Sequence, residues 1–385
     1  MSKIVFRYIF LCIALAMLTS CKNCGDEPVN NLPVERTILV YMLADNNLGE
    51  TYEYDRTNII DMGEALSKVN NNSRLLVFYA GYDTVPYLME LTNSKKGGYN
   101  VNKLKWYDQA ISTDSTTMKR VLSDVREIAP AENYGLIMWS HATNWLPNNR
   151  FYSRSNTVSP TSFGREGDEE LSMNIDEMNS ALKWFHHDFI LFDACLMGSV
   201  EVAYELREAC DYIIASPTET MGAGYPYSEI IPMLLTKEID YIKVCEEYCK
   251  AYITTANASG TISLIKTDEM ESLAQCCQDI VKGKEEEIAN LETRDIQYFD
   301  RRLPHMFYDL QDYMTRIGDD EQLDRLQSCL QSAILYKAAS RNFLNIQIKK
   351  YSGLSCYIPG CSDDSIIEDY YQKLQWNKDV YNSSK

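Results

Sequence analysis

Residues Phe189 to Glu201 read FILFDACLMGSVE. An apolar run of strand length ends in a carboxylate, Asp193, then a thiol, Cys195, with Gly198 three residues on. A core strand gains nothing from Asp193, because a buried carboxylate loses its hydration. A nucleophile at the carboxyl end of a strand gains from all three. Working outward, Asn174 to Phe185 and Gly198 to Glu208 read as helices, and DYIIAS (Asp211 to Ser216) as a further strand. Upstream, RTILVYML (from Arg36), SRLLVFYAG (from Ser73) and NYGLIMWS (from Asn133) read as strands. Helices are expected near Asp55 to Lys68 and from Ser115 to Ala129 between them. PYLMELT and NKLKWYD, from Pro86 and Asn102, read as a hairpin or edge strands. Strands alternating with helices predict an α/β class, a mostly parallel sheet covered on both faces in three α/β/α layers. Such sheets place their chemistry at the carboxyl ends of strands.

A thiol is a useful nucleophile only as thiolate, so it needs a base. The chain has 4 His. His141 alone follows directly on an apolar strand, 195 − 141 = 54 residues before the thiol. His186 and His187 flank a helix end and read as surface residues; His305 follows Pro304 at an expected helix start. With no H-E-x-x-H and no paired C-x-x-C, no metal centre is predicted.

The first residues, MSKIVFRYIFLCIALAMLTSC, carry Lys3 and Arg7 and then an apolar stretch too short to span a membrane. LTSC resembles a bacterial lipobox, with Cys21 as the lipidated residue. Residues 1–20 then form a lipoprotein signal peptide, 21–35 a tether, 36–227 the α/β core and 228–385 a mainly helical subdomain whose strands complete the fold. The protein is expected to be exported and membrane-anchored, facing the periplasm or the cell surface. The net charge of −18 disfavours nucleic acid as a partner. Of the 12 cysteines, no spacing resembles a disulfide framework. Cys245 and Cys249 lie one helical turn apart and read as buried apolar residues. Residues 147–170 have no apolar periodicity and read as a long polar loop, a lid or a processing site.

Four segments resemble the clostripain-like cysteine peptidases, which share the caspase–gingipain–legumain fold. They are TILVYMLADNNL (from Thr37), LIMWSHATNW (from Leu136), FDACLMGSVEVAYEL (from Phe192) and YSGLSCYIPG (from Tyr351). The resemblance implies a cysteine endopeptidase acting on peptides or proteins. Cys195 would be the nucleophile, His141 the general base and acid, and the backbone N–H groups of Ala142 and Cys195 the oxyanion hole. Asp193 would lie in the pocket for a P1 Arg or Lys; the alternative is a helix N-cap, and the two do not exclude each other. Gly198 would let the chain turn into its helix. Two departures stand out. Ala142 and Asn144 replace two family glycines, and in ASPTETMGAGYPY, where the family has acids earlier, the acid that would join Asp193 in substrate binding is Glu219. A catalytically idle binding protein of the same fold is the alternative. Internal cutting in relatives points to self-processing after Arg154, with Arg150 second. No cofactor is implied; calcium, used by some relatives, has no D-x-D-x-D-G loop here.

Overall fold

The computed structural model describes residues 33–148, 162–167 and 171–382, which belong to one compact unit. Cys21, Arg150 and Arg154 lie outside them. Strand β1 (Val34–Ala44) is buried along nearly its whole length. Its alternate side chains enter two different cores: Leu39, Tyr41 and Leu43 one, Ile38, Val40 and Met42 the other. A strand buried on both faces must read as a continuous apolar run, and this one does.

Among the described residues, eight further strands join β1 in one sheet. They are β2 (Ser73–Gly81), β3 (Tyr87–Asn93), β4 (Tyr99–Trp106), β5 (Ala131–Trp139), β6 (His187–Asp193), β7 (Cys210–Ala215), β8 (Thr261–Lys266) and β9 (Ile334–Ala339). The order is β9-β8-β7-β6-β5-β1-β2-β3-β4. The five central strands, β7 to β2, are parallel, and the pairs at each flank are antiparallel. The hairpin expected after Pro86 is β3–β4, with β4 at the edge.

Helices cover both faces. On one side lie α2 (Tyr54–Ala65), α6 (Tyr227–Leu234) and α7 (Tyr241–Tyr252), preceded in the chain by the short α1 (Asn47–Glu50). On the other lie α3 (Ser115–Ile128), α4 (Ile175–Leu182), α5 (Val200–Glu205), α8 (Met270–Val281) and α9 (Asp320–Ala333). Cys245 and Cys249 sit on the buried stripe of α7, as their spacing predicts. The sequence after residue 228 supplies both flanking strands β8 and β9 as well as helices.

Four expectations need correction. Cys276 on α8 and Cys329 on α9 form a disulfide between helices that contact each other, a pairing 53 residues apart that no local spacing announces. His187 is buried as the first residue of β6, and its imidazole is pushed down to about 3 by burial; only His186 is exposed, paired with Asp211. His305 starts no helix: it stacks on Tyr298 in a loop. The polar segment 147–170 is not wholly without structure, because Phe163–Glu166 pairs with Leu171–Met173 and Phe163 bridges Ala142.

Candidate active site

Parallel pairing of β5 with β6 sets Trp139 opposite Asp193. His141 and Cys195 each lie two residues beyond that pair, so the register delivers both to the same rim of the sheet. Adjacent strands run about 4.8 Å apart. The imidazole and thiol are not hydrogen-bonded to each other. The His141 Nε2 lies 2.6 Å from Asn47 Oδ1 on α1, and the Cys195 thiol donates to the Thr220 carbonyl oxygen at 3.8 Å. With the Asn47 oxygen accepting, Nε2 holds the proton and Nδ1 is the free base. Asn47 is a partner that sequence reasoning missed, although it stands inside the quoted ADNNL turn. Its neighbour Asn46 caps α1 through the Leu48 N–H and ties the turn to the Arg165 carbonyl at 2.9 Å.

Both groups rest neutral. Burial pushes the Cys195 thiol up to about 12, helped by the Glu219 and Asp193 charges and opposed by Arg301. Burial also pushes His141 down to about 4, helped by the Arg165 charge.

The backbone around the thiol is tightly held. Leu196 is left-handed at φ 67°, held there by its N–H bond to the Thr218 carbonyl at 2.9 Å. Gly198 is needed for a different reason from the turn expected of it. A Cβ there would lie 2.6 Å from the Pro217 nitrogen, so the glycine lets the segment 216–217 pack against the Cys195 loop. Ser216, Thr218 and Thr261 share hydroxyl hydrogen bonds of 2.7 to 3.1 Å that fix that segment against β8.

Ala142 and Asn144 also resolve. Ala142 is not left-handed, so its Cβ carries no strain; the positive φ falls at Asn144, at 62°. The Ala142 bridge to Phe163 is made by the flanking residues, Gly164 N–H to the His141 carbonyl and Thr143 N–H to the Ser162 carbonyl, both at 2.9 Å. Among the described residues, neither the Ala142 N–H nor the Cys195 N–H meets an acceptor.

Asp193 is buried, and it caps no helix: the N-cap of α5 is Ser199. Its Oδ2 accepts from the Tyr227 hydroxyl at 2.7 Å and the Tyr225 N–H at 3.3 Å, while Oδ1 receives no hydrogen bond from a described residue. Burial raises its carboxyl to about 6, and the two donors pull it back. Gly224, at φ 76°, stands where a Cβ would lie 2.5 Å from Asp193 Oδ2. Glu219 is held in a fork by Arg301, whose Nε donates at 3.0 Å and whose Nη2 donates at 2.6 Å.

A strand-end thiol and a strand-end imidazole on adjacent parallel strands of a three-layer α/β/α sheet are the architecture of a cysteine peptidase. The chain belongs to the clostripain family, whose model matches residues 40–385. It is similar to an inactive zymogen C11 protease from Parabacteroides distasonis, with 31% identity, TM-score 0.79, and 91% of this chain and 99% of that one covered. It is similar too to a secreted C11 cysteine protease from Bacteroides thetaiotaomicron in complex with an irreversible peptide inhibitor, with 28% identity, TM-score 0.77, and 91% and 99% covered. Clostripain of Hathewaya histolytica is 27% identical over 129 residues, which are 30% of this chain and 23% of that protein. The chain thus matches about a quarter of the length of that curated relative.

Proposed function

We propose that the protein is an exported cysteine endopeptidase that cuts after Arg or Lys through a Cys195–His141 dyad. The observation that carries the reading is the shared offset of Cys195 and His141 beyond the Trp139–Asp193 pair. The resting dyad is neutral, so thiol deprotonation and attack are coupled. The Cys195 Sγ forms a bond to the scissile carbonyl carbon as its proton passes to the free imidazole nitrogen. The carbonyl oxygen becomes an oxyanion, received by the Ala142 and Cys195 N–H groups, which have no other acceptor among the described residues. Collapse breaks the C–N bond, and His141 returns its proton to the leaving amine. Water then attacks the thioester with His141 as base, releasing the acid and the thiol. Asn47 orients the imidazole throughout.

For recognition, Asp193 keeps one oxygen anchored to Tyr227 and leaves the other open, an arrangement suited to a substrate cation. Glu219 is a second acid beside the thiol. Cys195→Ala and His141→Ala should each abolish hydrolysis of a P1-Arg peptide while the far-ultraviolet circular dichroism stays unchanged. The double variant should be no worse than either, because such residues act as a unit. Clear turnover by a folded Cys195→Ala would identify another nucleophile.

The anchor belongs to the same reading. The secreted relative supports export, and no described helix is long and apolar enough to cross a membrane. A lipid on Cys21 would hold the enzyme at the bilayer. Cys21→Ala should appear in the soluble fraction without lipid mass, or accumulate unprocessed; membrane partitioning equal to wild type would dismiss the anchor.

A further inference from the structure

Beside Cys195, the segment 218–220 runs alongside the nucleophile loop. Leu196 N–H donates to the Thr218 carbonyl at 2.9 Å, and the Thr220 hydroxyl donates to the Ala194 carbonyl at 3.0 Å. Glu219 sits between those two contacts, so its carboxylate belongs to the rim of the thiol site. What fills that carboxylate is a side chain of the protein itself. Arg301 arrives from a loop 82 residues later in the chain and grips both oxygens of Glu219. Among the described residues Glu219 is the only partner that receives a hydrogen bond from the Arg301 guanidinium.

The loop is built to present it. Its stem is closed by the Tyr298–Tyr308 bridge and by the Phe299 N–H bond to the Phe307 carbonyl at 2.9 Å. Asp300, next to Arg301, accepts from the N–H groups of Met306 at 3.2 Å and Phe307 at 3.4 Å. His305 stacks on Tyr298 with centroids 3.6 Å apart. Beyond that brace the tip is open: Leu303 is 82% exposed. The Arg301 side chain is 43% exposed, which leaves the ion pair in contact with water.

We propose that Arg301 is a resident surrogate for the substrate's basic side chain, holding Glu219 beside Cys195 until a P1 Arg or Lys takes the carboxylate over. The inference rests on the basic-P1 reading above. The exchange replaces one charge-assisted pair by another of the same kind, so a cationic side chain displaces Arg301 at little cost. A neutral side chain cannot, because it would leave Glu219 and Arg301 both unpaired. Arg301 thereby works as a specificity-determining residue: it competes with basic side chains for Glu219, while a neutral one leaves the pair in place.

The test compares wild type, Arg301→Ala and Arg301→Lys on peptides that differ only at P1 (Arg, Lys or Ala), and adds agmatine as a free guanidinium competitor. For Arg301→Ala, the KM for P1-Arg and the inhibition constant of agmatine should both fall, roughly two- to fivefold, the range that an exposed ion pair supports. The kcat on P1-Arg should hold, and Arg301→Lys should stay near wild type. An unchanged or higher KM for P1-Arg would make the pair a positioner of Glu219 and overturn the surrogate. An equal fall for all three peptides would make the loop a steric cover and overturn it too. A wild type without preference for basic P1 overturns the pocket reading and this inference with it. A wild type with that preference, and an Arg301→Ala indistinguishable from it, overturns the surrogate alone.

Discussion

Asn144 stands in a left-handed backbone, at a position where the family resemblance implies glycine, and asparagine enters that region more readily than most residues with a Cβ. Its side chain then does what glycine cannot. Asn144 Oδ1 accepts from the Trp145 N–H at 2.9 Å and from the Ser199 hydroxyl at 2.7 Å, tying the loop after the histidine to the cap of the helix after the thiol. The backbone is thus unstrained at Ala142, and at Asn144 the side-chain oxygen gains two donors while Nδ2 stays buried without a partner among the described residues. Asp193 is the other residue whose state matters. Only its carboxylate form can pair with a cationic side chain, and burial raises its carboxyl to about 6. The kcat/KM on a P1-Arg peptide should therefore fall as pH drops through about 6, well above the value near 4 at which His141 gains a proton. Asp193→Asn should lose that limb and lose P1-Arg substrates by on the order of 2–5 kcal/mol relative to P1-Ala. A pH–rate profile of both proteins on both peptides reads it directly; an unchanged P1 preference in the variant would remove Asp193 from recognition.

Between elements, one of the contacts that bind α5 to the C-terminal segment is made by Glu201. It lies wholly buried on α5 and accepts from the Tyr357 N–H at 2.7 Å, just beyond the short strand Ser355–Cys356. Its second oxygen has no partner among the described residues. Burial raises this carboxyl from 4.5 to about 7, with the Tyr357 N–H opposing. A folded-state pKa raised above the unfolded one favours the folded state at low pH. The contribution is full below about 4.5 and is lost as pH rises through about 7, and the limit is on the order of 3 kcal/mol. Thermal melts from pH 5 to 8 should therefore show a smaller loss of Tm for Glu201→Gln than for wild type. Parallel curves would mean that Glu201 ionises freely in the fold.

The elements themselves were legible because their signals are local: the apolar runs of β1, β5 and β6, the one-turn spacing of Cys245 and Cys249 on α7, the paired runs of β3 and β4. The placement of His141 and Cys195 at one rim was legible because both residues follow such runs. What escaped lies in contacts between distant segments. Cys276 meets Cys329 only because α8 packs on α9. His187 looks like a helix-end residue until β7 covers it. Arg301 looks like any loop arginine until the loop closes over Glu219.

For the whole molecule, the order of strands bears on processing. Arg154 and Arg150 fall between β5 and β6, and these two strands pair directly, with β1 and β7 on their outer sides. A cut after Arg154, which we propose as self-cleavage with Arg150 second, would leave two chains sharing one sheet and so unable to separate without unfolding. Wild type should give two bands on a denaturing gel and one species on gel filtration, and Cys195→Ala a single intact band. Intact bands in both, with wild type fully active, would leave the segment as a lid only.

The edge strand β4 has a consequence for life at high local density, such as a crowded surface. It exposes Val101, Leu104 and Trp106 along a sheet edge that no described strand pairs with, the kind of template on which a second molecule can add a strand and start an aggregate. Lys103 and Lys105 interrupt that row. Lys103 folds over the rings of Tyr87 and Trp106, 4.2 and 4.6 Å from their centroids, and Lys105 pairs with Asp124 at 2.7 Å. The two lysines thus set positive charge along an edge that would otherwise invite pairing, so the residues that guard this molecule against self-association stand far from its thiol.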